Sequence, residues 1–157
     1  MFRRLEAEVL LDMVCQATGV GEKFSAALPG SRAIQLWDSQ VSHYFLRLFG
    51  RPVRASACEC ERNHEPSVSQ VLHLLNSPEV HAKLGHPTGT VARLVQQTPD
   101  DRQLVEELFL TFYSRLPTDS ERAAALAHLR KDPAGRRQAC EDLAWSLLNS
   151  LEFLFNH

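Results

Sequence analysis

Residues 100–112, which read DDRQLVEELFLTF, decide the fold class of this chain. Four apolar side chains recur in it at the spacing i, i+3, i+4 and i+7: Val105, Leu108, Phe109 and Phe112. This spacing aligns the four side chains along one face of an α-helix. The stretch therefore predicts an amphipathic helix that begins at Asp100 or Asp101.

Helix start signals lie on both sides of this stretch. Downstream, Thr118 and Glu121 form a capping box, which predicts a helix that runs to about Lys131. Upstream, Ser77 is suited to an N-cap and Pro78 to the first helical position, where its missing N–H costs nothing. Each signal predicts a separate helix.

The N-terminal part of the chain follows the same pattern. Its apolar spacing predicts an amphipathic helix that ends at Gly19 or Gly21. A linker is expected over residues 22–32 and a short buried helix within residues 36–49. A further helix is expected to open at Pro66-Ser67.

The last predicted helix carries one apolar seam: Cys140, Ala144, Leu147, Leu151 and Phe155. No segment of useful length alternates with period two, as a half-buried strand would. The prediction is an all-α fold, an orthogonal bundle of about six to eight helices with little or no β structure. A single helical domain is expected to cover residues 1–157.

Composition and charge argue against two classes of partner. The 157 residues are 44% hydrophobic and 23% charged, and the formal net charge is −2. A chain without bulk positive charge lacks the field that holds nucleic acid, so no nucleic-acid partner is expected. No apolar run approaches the roughly 18–20 residues of a membrane-spanning helix, so this segment is not expected to insert into a membrane.

The densest cluster of reactive side chains contains Cys58, Cys60 and His64, with His73 nine residues further on. Thiolates and imidazoles are ligands that zinc prefers. The Cys-x-Cys spacing is tighter than the Cys-x₂₋₄-Cys pairs of common structural zinc sites. Two hypotheses therefore stand: a zinc site with these four ligands, or a structural loop in which Arg62 bridges neighbouring carboxylates.

Nucleophilic catalysis by Cys58 or Cys60, with His64 or His73 as the base, is disfavoured. Three carboxylates flank the two thiols: Glu59, Glu61 and Glu65. Negative charge raises the pKa of a thiol, whereas a reactive cysteine needs a lowered one. The sequence therefore favours a non-catalytic protein over an enzyme.

The other polar, aromatic and cysteine side chains are predicted to face solvent or to pack in the core. Carboxylate pairs such as Glu6/Glu8 are predicted to lie on solvated helix faces. Trp37 and Tyr44 are the candidates for stacking against a carbohydrate, but both are predicted to lie in the core. The redox state of four cysteines stays open: Cys15, Cys58, Cys60 and Cys140.

Five blocks of the chain carry a family resemblance: residues 3–10 (RRLEAEVL), 51–52 with 56–62 (RP and SACECER), 72–79 (LHLLNSPE), 114–122 (SRLPTDSER), and 142–145 with 149–157 (DLAW and NSLEFLFNH). In this order they resemble the planctomycete PSD-type domain of unknown function. The resemblance covers nearly the whole chain.

The resemblance implies a setting and no reaction. Such domains occur in large planctomycete and verrucomicrobial surface proteins, commonly beside planctomycete-type cytochrome c and Ig-like domains. It therefore implies an exported, cell-surface location. Because family proteins are far longer, it also implies that this chain corresponds to the C-terminal portion of the family domain. The family has no established catalytic residues to transfer.

The expected function is that of a non-catalytic helical interaction or scaffold module of an exported or surface multi-domain protein. Its expected partner is another protein domain or a second copy of the chain. The alternative is a metal-binding or redox accessory domain that uses Cys58, Cys60, His64 and His73, with zinc as the cofactor. A carbohydrate-binding surface module is the third hypothesis.

Overall fold

The computed structural model describes residues 3–25, 27–36, 43–51, 67–131 and 135–156. Within these ranges it contains nine α-helices: α1 (Ala7–Thr18), α2 (Tyr44–Leu48), α3 (Val68–Asn76), α4 (Pro78–Leu84), α5 (Thr90–Gln97), α6 (Asp101–Tyr113), α7 (Asp119–Leu129), α8 (Arg136–Leu148) and α9 (Leu151–Leu154). A 3₁₀ turn covers Ala33–Gln35. The two-residue strands β1 (Arg3–Arg4) and β2 (Phe155–Asn156) pair antiparallel. The prediction of an all-α bundle with little β structure is confirmed.

Seven of these helices have at least seven residues, in agreement with the predicted six to eight. The other two are short: α2 has five residues and α9 has four. None of the described helices is long and apolar enough to cross a membrane.

Helix α6 supplies much of the core, as its apolar stripe predicts. It packs against α5, α7, α8 and α9. The four stripe residues and Leu104 are all buried: Leu104, Val105, Leu108, Phe109 and Phe112. Full burial of one Leu or Phe side chain stabilises the fold by about 1.5–3 kcal/mol. Burial of the stripe therefore contributes to the stability of this half of the chain.

The predicted caps form as expected. Asp100 Oδ2 accepts a backbone N–H of the first turn of α6 at 3.0 Å. In α7, Thr118 Oγ1 accepts the Glu121 N–H at 3.3 Å, while Glu121 Oε2 accepts the Thr118 N–H at 2.7 Å. Ser77 caps α4, and Pro78 occupies its first position. These side chains satisfy N–H groups that a helix start leaves without partners.

Helix α1 ends at Thr18, and Gly19 adopts the left-handed conformation with φ +69°. A Cβ atom at this position would lie 2.6 Å from Thr90 Oγ1 and 3.2 Å from Thr90 N. Gly19 therefore serves two purposes. It terminates α1 without backbone strain, and its lack of a side chain leaves space for Thr90 at the start of α5.

The predicted buried helix within residues 36–49 is wrong in part. Helix α2 covers only Tyr44–Leu48, and residues 37–42, with Trp37, lie outside the described residues. Phe45, Leu46 and Phe49 are buried as predicted, but Tyr44 is 57% exposed. A helix of one and a half turns cannot bury all its apolar side chains, because they point in every direction around its axis.

The predicted seam of the last helix is also wrong beyond Leu147. Helix α8 ends at Leu148, and α9 begins at Leu151 after two intervening residues. Ser150 Oγ accepts the Phe153 N–H at 3.2 Å and so starts a new helix. The helix is interrupted at this break, and Leu151 is 72% exposed instead of lying on the seam.

The prediction that Glu6 and Glu8 face solvent is wrong for Glu8. Its side chain is buried, and Oε1 lies 3.3 Å from Arg51 Nε. Arg51 Nη2 also donates to the Leu36 carbonyl at 2.9 Å. The chain after α2 thus folds back onto α1, a long-range contact that local periodicity does not encode.

Candidate functional site

The predicted site residues divide into two groups. Cys58, Cys60 and His64 lie outside the described residues, so the hypothesis of a zinc site that includes them stays a prediction. His73 lies on α3 and is described. The site is therefore built from α2 and α3.

Side-chain hydrogen bonds hold α3 in place. Ser67 and Gln70 form a capping box, with Ser67 Oγ accepting the Gln70 N–H at 3.3 Å. The Gln70 amide Nε2 also donates to the Leu48 carbonyl at 3.0 Å, which ties α3 to the last residue of α2. Leu74 is buried on the same face as Gln70, since the two are four residues apart. Gln70 and Leu74 thus define the inner face of α3.

The His73 ring lies among the aromatic side chains of the α2 segment. Its centroid is 5.3 Å from that of Tyr44, 5.7 Å from that of Phe45 and 6.4 Å from that of Phe49, all edge-on. Burial lowers the pKa of His73 despite the nearby Glu79 carboxylate. His73 Nε2 is buried and has no hydrogen-bond partner among the described residues. Burial thus favours the neutral form of the imidazole.

Three large apolar side chains on these two helices are exposed, beside the exposed Arg47 of α2. Val71 and Leu72 on α3 are 51% and 53% exposed, and Tyr44 on α2 is 57% exposed. We call Tyr44, Val71 and Leu72 the α2–α3 surface. Helix α3 contains no Asp, Glu, Lys or Arg. Exposed apolar side chains on an uncharged helix are typical of contact surfaces.

A buried polar cluster lies between α1, α4 and the segment before α2. Lys83 Nζ donates to the Val20 and Gly21 carbonyls, at 3.1 Å each, and lies 3.2 Å from Glu22 Oε2. Glu22 Oε1 is 3.9 Å from His43 Nε2. The nearby His43 ring, together with the Lys83 ammonium, lowers the pKa of Glu22 to about 2. This cluster was not predictable from sequence, because its members are up to 63 residues apart along the chain, meet only after folding and share no motif.

The two cysteines in the described residues are free thiols without signs of activation. Cys15 Sγ lies 3.7 Å from Lys83 Nζ, yet burial raises the pKa of its thiol. Burial also raises the pKa of Cys140, to about 11. Reactive cysteines have lowered pKa values. Both thiols are therefore placed for packing.

The block SRLPTDSER forms an ion-pair clamp between α6, α7 and α9. The Arg115 guanidinium donates to both carboxylate oxygens of Glu121, at 2.9 Å each. It also donates to both oxygens of Glu152, at 2.6 and 2.7 Å. The ring centroids of Tyr113 and Phe109 lie 5.2 and 5.7 Å from Arg115 Cζ. One arginine thus joins three helices, which explains why Arg and Glu occupy these places in the block.

One family model, described as "PSD1: Protein of unknown function (DUF1553)", matches the chain over residues 1–129. This chain belongs to the PSD1 family. No curated protein and no solved structure matches it significantly. The prediction of a PSD-type domain of unknown function is therefore confirmed, whereas the planctomycete setting and the cytochrome c association stay predictions.

In this PSD1 chain, the described residues contain no group of three or more His, Cys, Asp or Glu side chains arranged to hold a metal ion. Of the four predicted ligands only His73 is included in that statement. The prediction that Tyr44 lies in the core is wrong, because its side chain reaches the surface beside His73.

Proposed function

We propose that this chain is a non-catalytic helical interaction module of an exported, multi-domain surface protein, and that a second copy of the chain is its partner. The exposed, uncharged α2–α3 surface carries the proposal. The family resemblance described above supports the exported setting.

Two features of the described residues support binding over catalysis. The charged groups with the closest contacts, Lys83, Glu22 and Arg115, are engaged with other groups of the chain itself. The thiols of Cys15 and Cys140 have raised pKa values. These side chains serve the fold, whereas Val71 and Leu72 of the α2–α3 surface are half exposed to solvent.

A second copy fits this surface because α3 is uncharged. In a two-fold symmetric dimer the same patch meets itself, so a charge near the two-fold axis would face a like charge. Val71 and Leu72 meet no such repulsion, and their burial against the same residues of the partner removes apolar area from water. A patch of this kind supports self-association.

Light scattering during size-exclusion chromatography tests the proposal. The unmodified chain is expected to shift from monomer toward dimer as its concentration rises. The double variant Val71→Lys/Leu72→Lys should stay monomeric, because it brings four like charges into the interface. Leu28→Lys is the matched control, since Leu28 is 81% exposed but lies in the loop before the 3₁₀ turn. A monomer at every concentration, or a dimer that survives the double variant, would overturn the proposal.

A second candidate function, zinc binding by Cys58, Cys60, His64 and His73, is favoured by one observation. The neutral His73 imidazole has a buried Nε2 without a partner among the described residues, and a neutral imidazole is the form that binds zinc. Elemental analysis of protein purified without chelator tests it. Stoichiometric zinc that is lost in Cys58→Ser/Cys60→Ser and in His73→Phe, but kept in Cys15→Ser, would support this function. Absence of metal from the unmodified chain would refute it.

A further inference from the structure

One side of the α2–α3 surface carries an exposed cation. Arg47 is exposed and lies three residues after Tyr44 on α2, so the two side chains are neighbours on this helix. Within α2 and α3, Arg47 is the one Asp, Glu, Lys or Arg residue. Its guanidinium forms no ion pair with the residues that the structure describes. The surface therefore has an unmatched positive charge on its α2 side.

An exposed carboxylate lies at the other end of the same surface. Ser77 ends α3 and caps α4, so a single residue joins the two helices. Glu79 lies in the first turn of α4 and is exposed. Its carboxylate is close enough to the His73 ring to oppose the effect of burial on the pKa of that ring. Like Arg47, Glu79 has no ion-pair partner within the described part of the chain.

Tyr44 and His73 connect these two charges. Tyr44 is one helical turn from Arg47, and its ring centroid lies 5.3 Å from that of His73, the ring beside Glu79. Opposite charges thus flank an exposed aromatic side chain. The α2–α3 surface is therefore basic on one side of Tyr44 and acidic on the other.

A two-fold dimer brings such opposite sides together. In an isologous interface, a residue on one side of the axis faces the residue that lies on the other side of the axis in its own copy. An axis that runs between Arg47 and Glu79 therefore places each of them opposite the other in the partner, and the contact forms twice. Only a charge close to the axis meets its own equivalent.

We propose that Arg47 pairs with the partner's Glu79 at the edge of the α2–α3 surface, and that these two ion pairs select a second copy of the chain as the partner. The pairing depends on the dimer proposed above and adds its orientation. Apolar side chains such as Val71 and Leu72 associate with many apolar surfaces, whereas complementary charges at the edge of an interface favour one partner and one orientation. A partner with a wholly acidic or wholly basic edge would leave Arg47 or Glu79 facing a like charge.

Charge reversal tests the pairing, with sedimentation equilibrium as the measurement of the dimer dissociation constant. Arg47→Glu and Glu79→Arg should each raise this constant by about tenfold, because two exposed ion pairs are replaced by two repulsive contacts. An equimolar mixture of the two variants should form a heterodimer with nearly the affinity of the unmodified chain, since both contacts then join opposite charges. Added salt should weaken the unmodified dimer and strengthen the dimers of the single variants.

Lys131→Glu is the matched control, because it makes the same change in net charge as Arg47→Glu at an exposed position just after α7. It should leave the dissociation constant unchanged. Circular dichroism of each variant checks that the helices are kept.

The outcomes separate the pairing from the dimer itself. Suppose that the unmodified chain dimerises and that Val71→Lys/Leu72→Lys abolishes the dimer. Unchanged constants in both single variants, or a mixture that forms no heterodimer, would then overturn the pairing and leave the dimer standing. An unmodified chain that is monomeric at every concentration would overturn both.

Discussion

Arg115 and Glu121 form a bidentate ion pair, with Nη1–Oε2 and Nη2–Oε1 distances of 2.9 Å each. The pair joins the residues that follow α6 to the first turn of α7. Glu121 at the same time accepts the Thr118 N–H and closes the capping box. Arg115 continues to Glu152, so the orientation of α9 depends on the same guanidinium. Removal of one side chain is therefore expected to loosen three helices together.

Arg115→Met should lower the free energy of unfolding by about 1–2 kcal/mol. This loss corresponds to the typical stabilisation by hydrogen bonds to charged groups. It is reduced here because the Arg115 side chain is partly exposed, so solvent screens its charge. Arg102→Met is the control, since Arg102 is an exposed i,i+4 partner of Glu106 and should cost less than about 0.5 kcal/mol. Urea unfolding measures the loss of stability in both variants. Equal losses would contradict the role of Arg115 in joining the three helices.

Gly19→Ala should destabilise the chain by about 1–3 kcal/mol. Alanine is strained at φ +69°, and its Cβ would lie 2.6 Å from Thr90 Oγ1. Gly21→Ala is the matched control two residues away, because no atom lies within 4 Å of its added Cβ. It should be neutral or slightly stabilising. Thermal unfolding followed by circular dichroism compares the two, and similar melting temperatures would refute the role of Gly19.

Stability should fall as the pH drops from about 5 to about 2, with Glu22 among the causes. Its pKa is about 2 in the folded chain against an ordinary value of 4.5. A lowered folded pKa means that the unfolded chain takes up the proton first, so the stabilisation is present above pH 4.5 and is lost toward pH 2. Glu22→Gln should be less stable at pH 7 and approach the unmodified chain at low pH. Urea titrations across this range measure the difference, and parallel pH profiles would contradict it.

Leu108→Ala should cost about 2–5 kcal/mol, because Leu108 is fully buried in the stripe of α6. Leu110→Ala, on the same helix but 42% exposed, should cost less than about 1 kcal/mol. Urea unfolding of the two variants checks the burial assigned to this stripe. A larger loss for Leu110→Ala would mean that the packed face of α6 is misassigned.

The local features of this chain were predictable from its sequence. The stripe from Val105 to Phe112 and the Thr118–Glu121 capping box depend on residues within two turns of one another, so spacing alone reveals them. The same holds for the end of α1 at Gly19 and for the start of α4 at Ser77 and Pro78.

The contacts that join distant segments were not predictable. Glu8 meets Arg51, and Lys83 meets Glu22, only after α1, α2 and α4 have packed. The break between α8 and α9 depends on Ser150, whose hydroxyl also receives a hydrogen bond from Tyr113 of α6. The exposure of Val71 and Leu72 was not predictable, because which apolar residues of α3 are buried depends on the segments that pack against it.

Intermolecular NMR contacts between differently labelled copies test the central claim, self-association through the α2–α3 surface, most directly. Chains with ¹³C-labelled methyl groups are mixed with unlabelled chains, and filtered spectra report only contacts between copies. The account predicts contacts from the Leu72 and Val71 methyl groups to a second copy, and their loss in Val71→Lys/Leu72→Lys. A sample that is monomeric at these concentrations, or contacts between copies that avoid both residues, would contradict it.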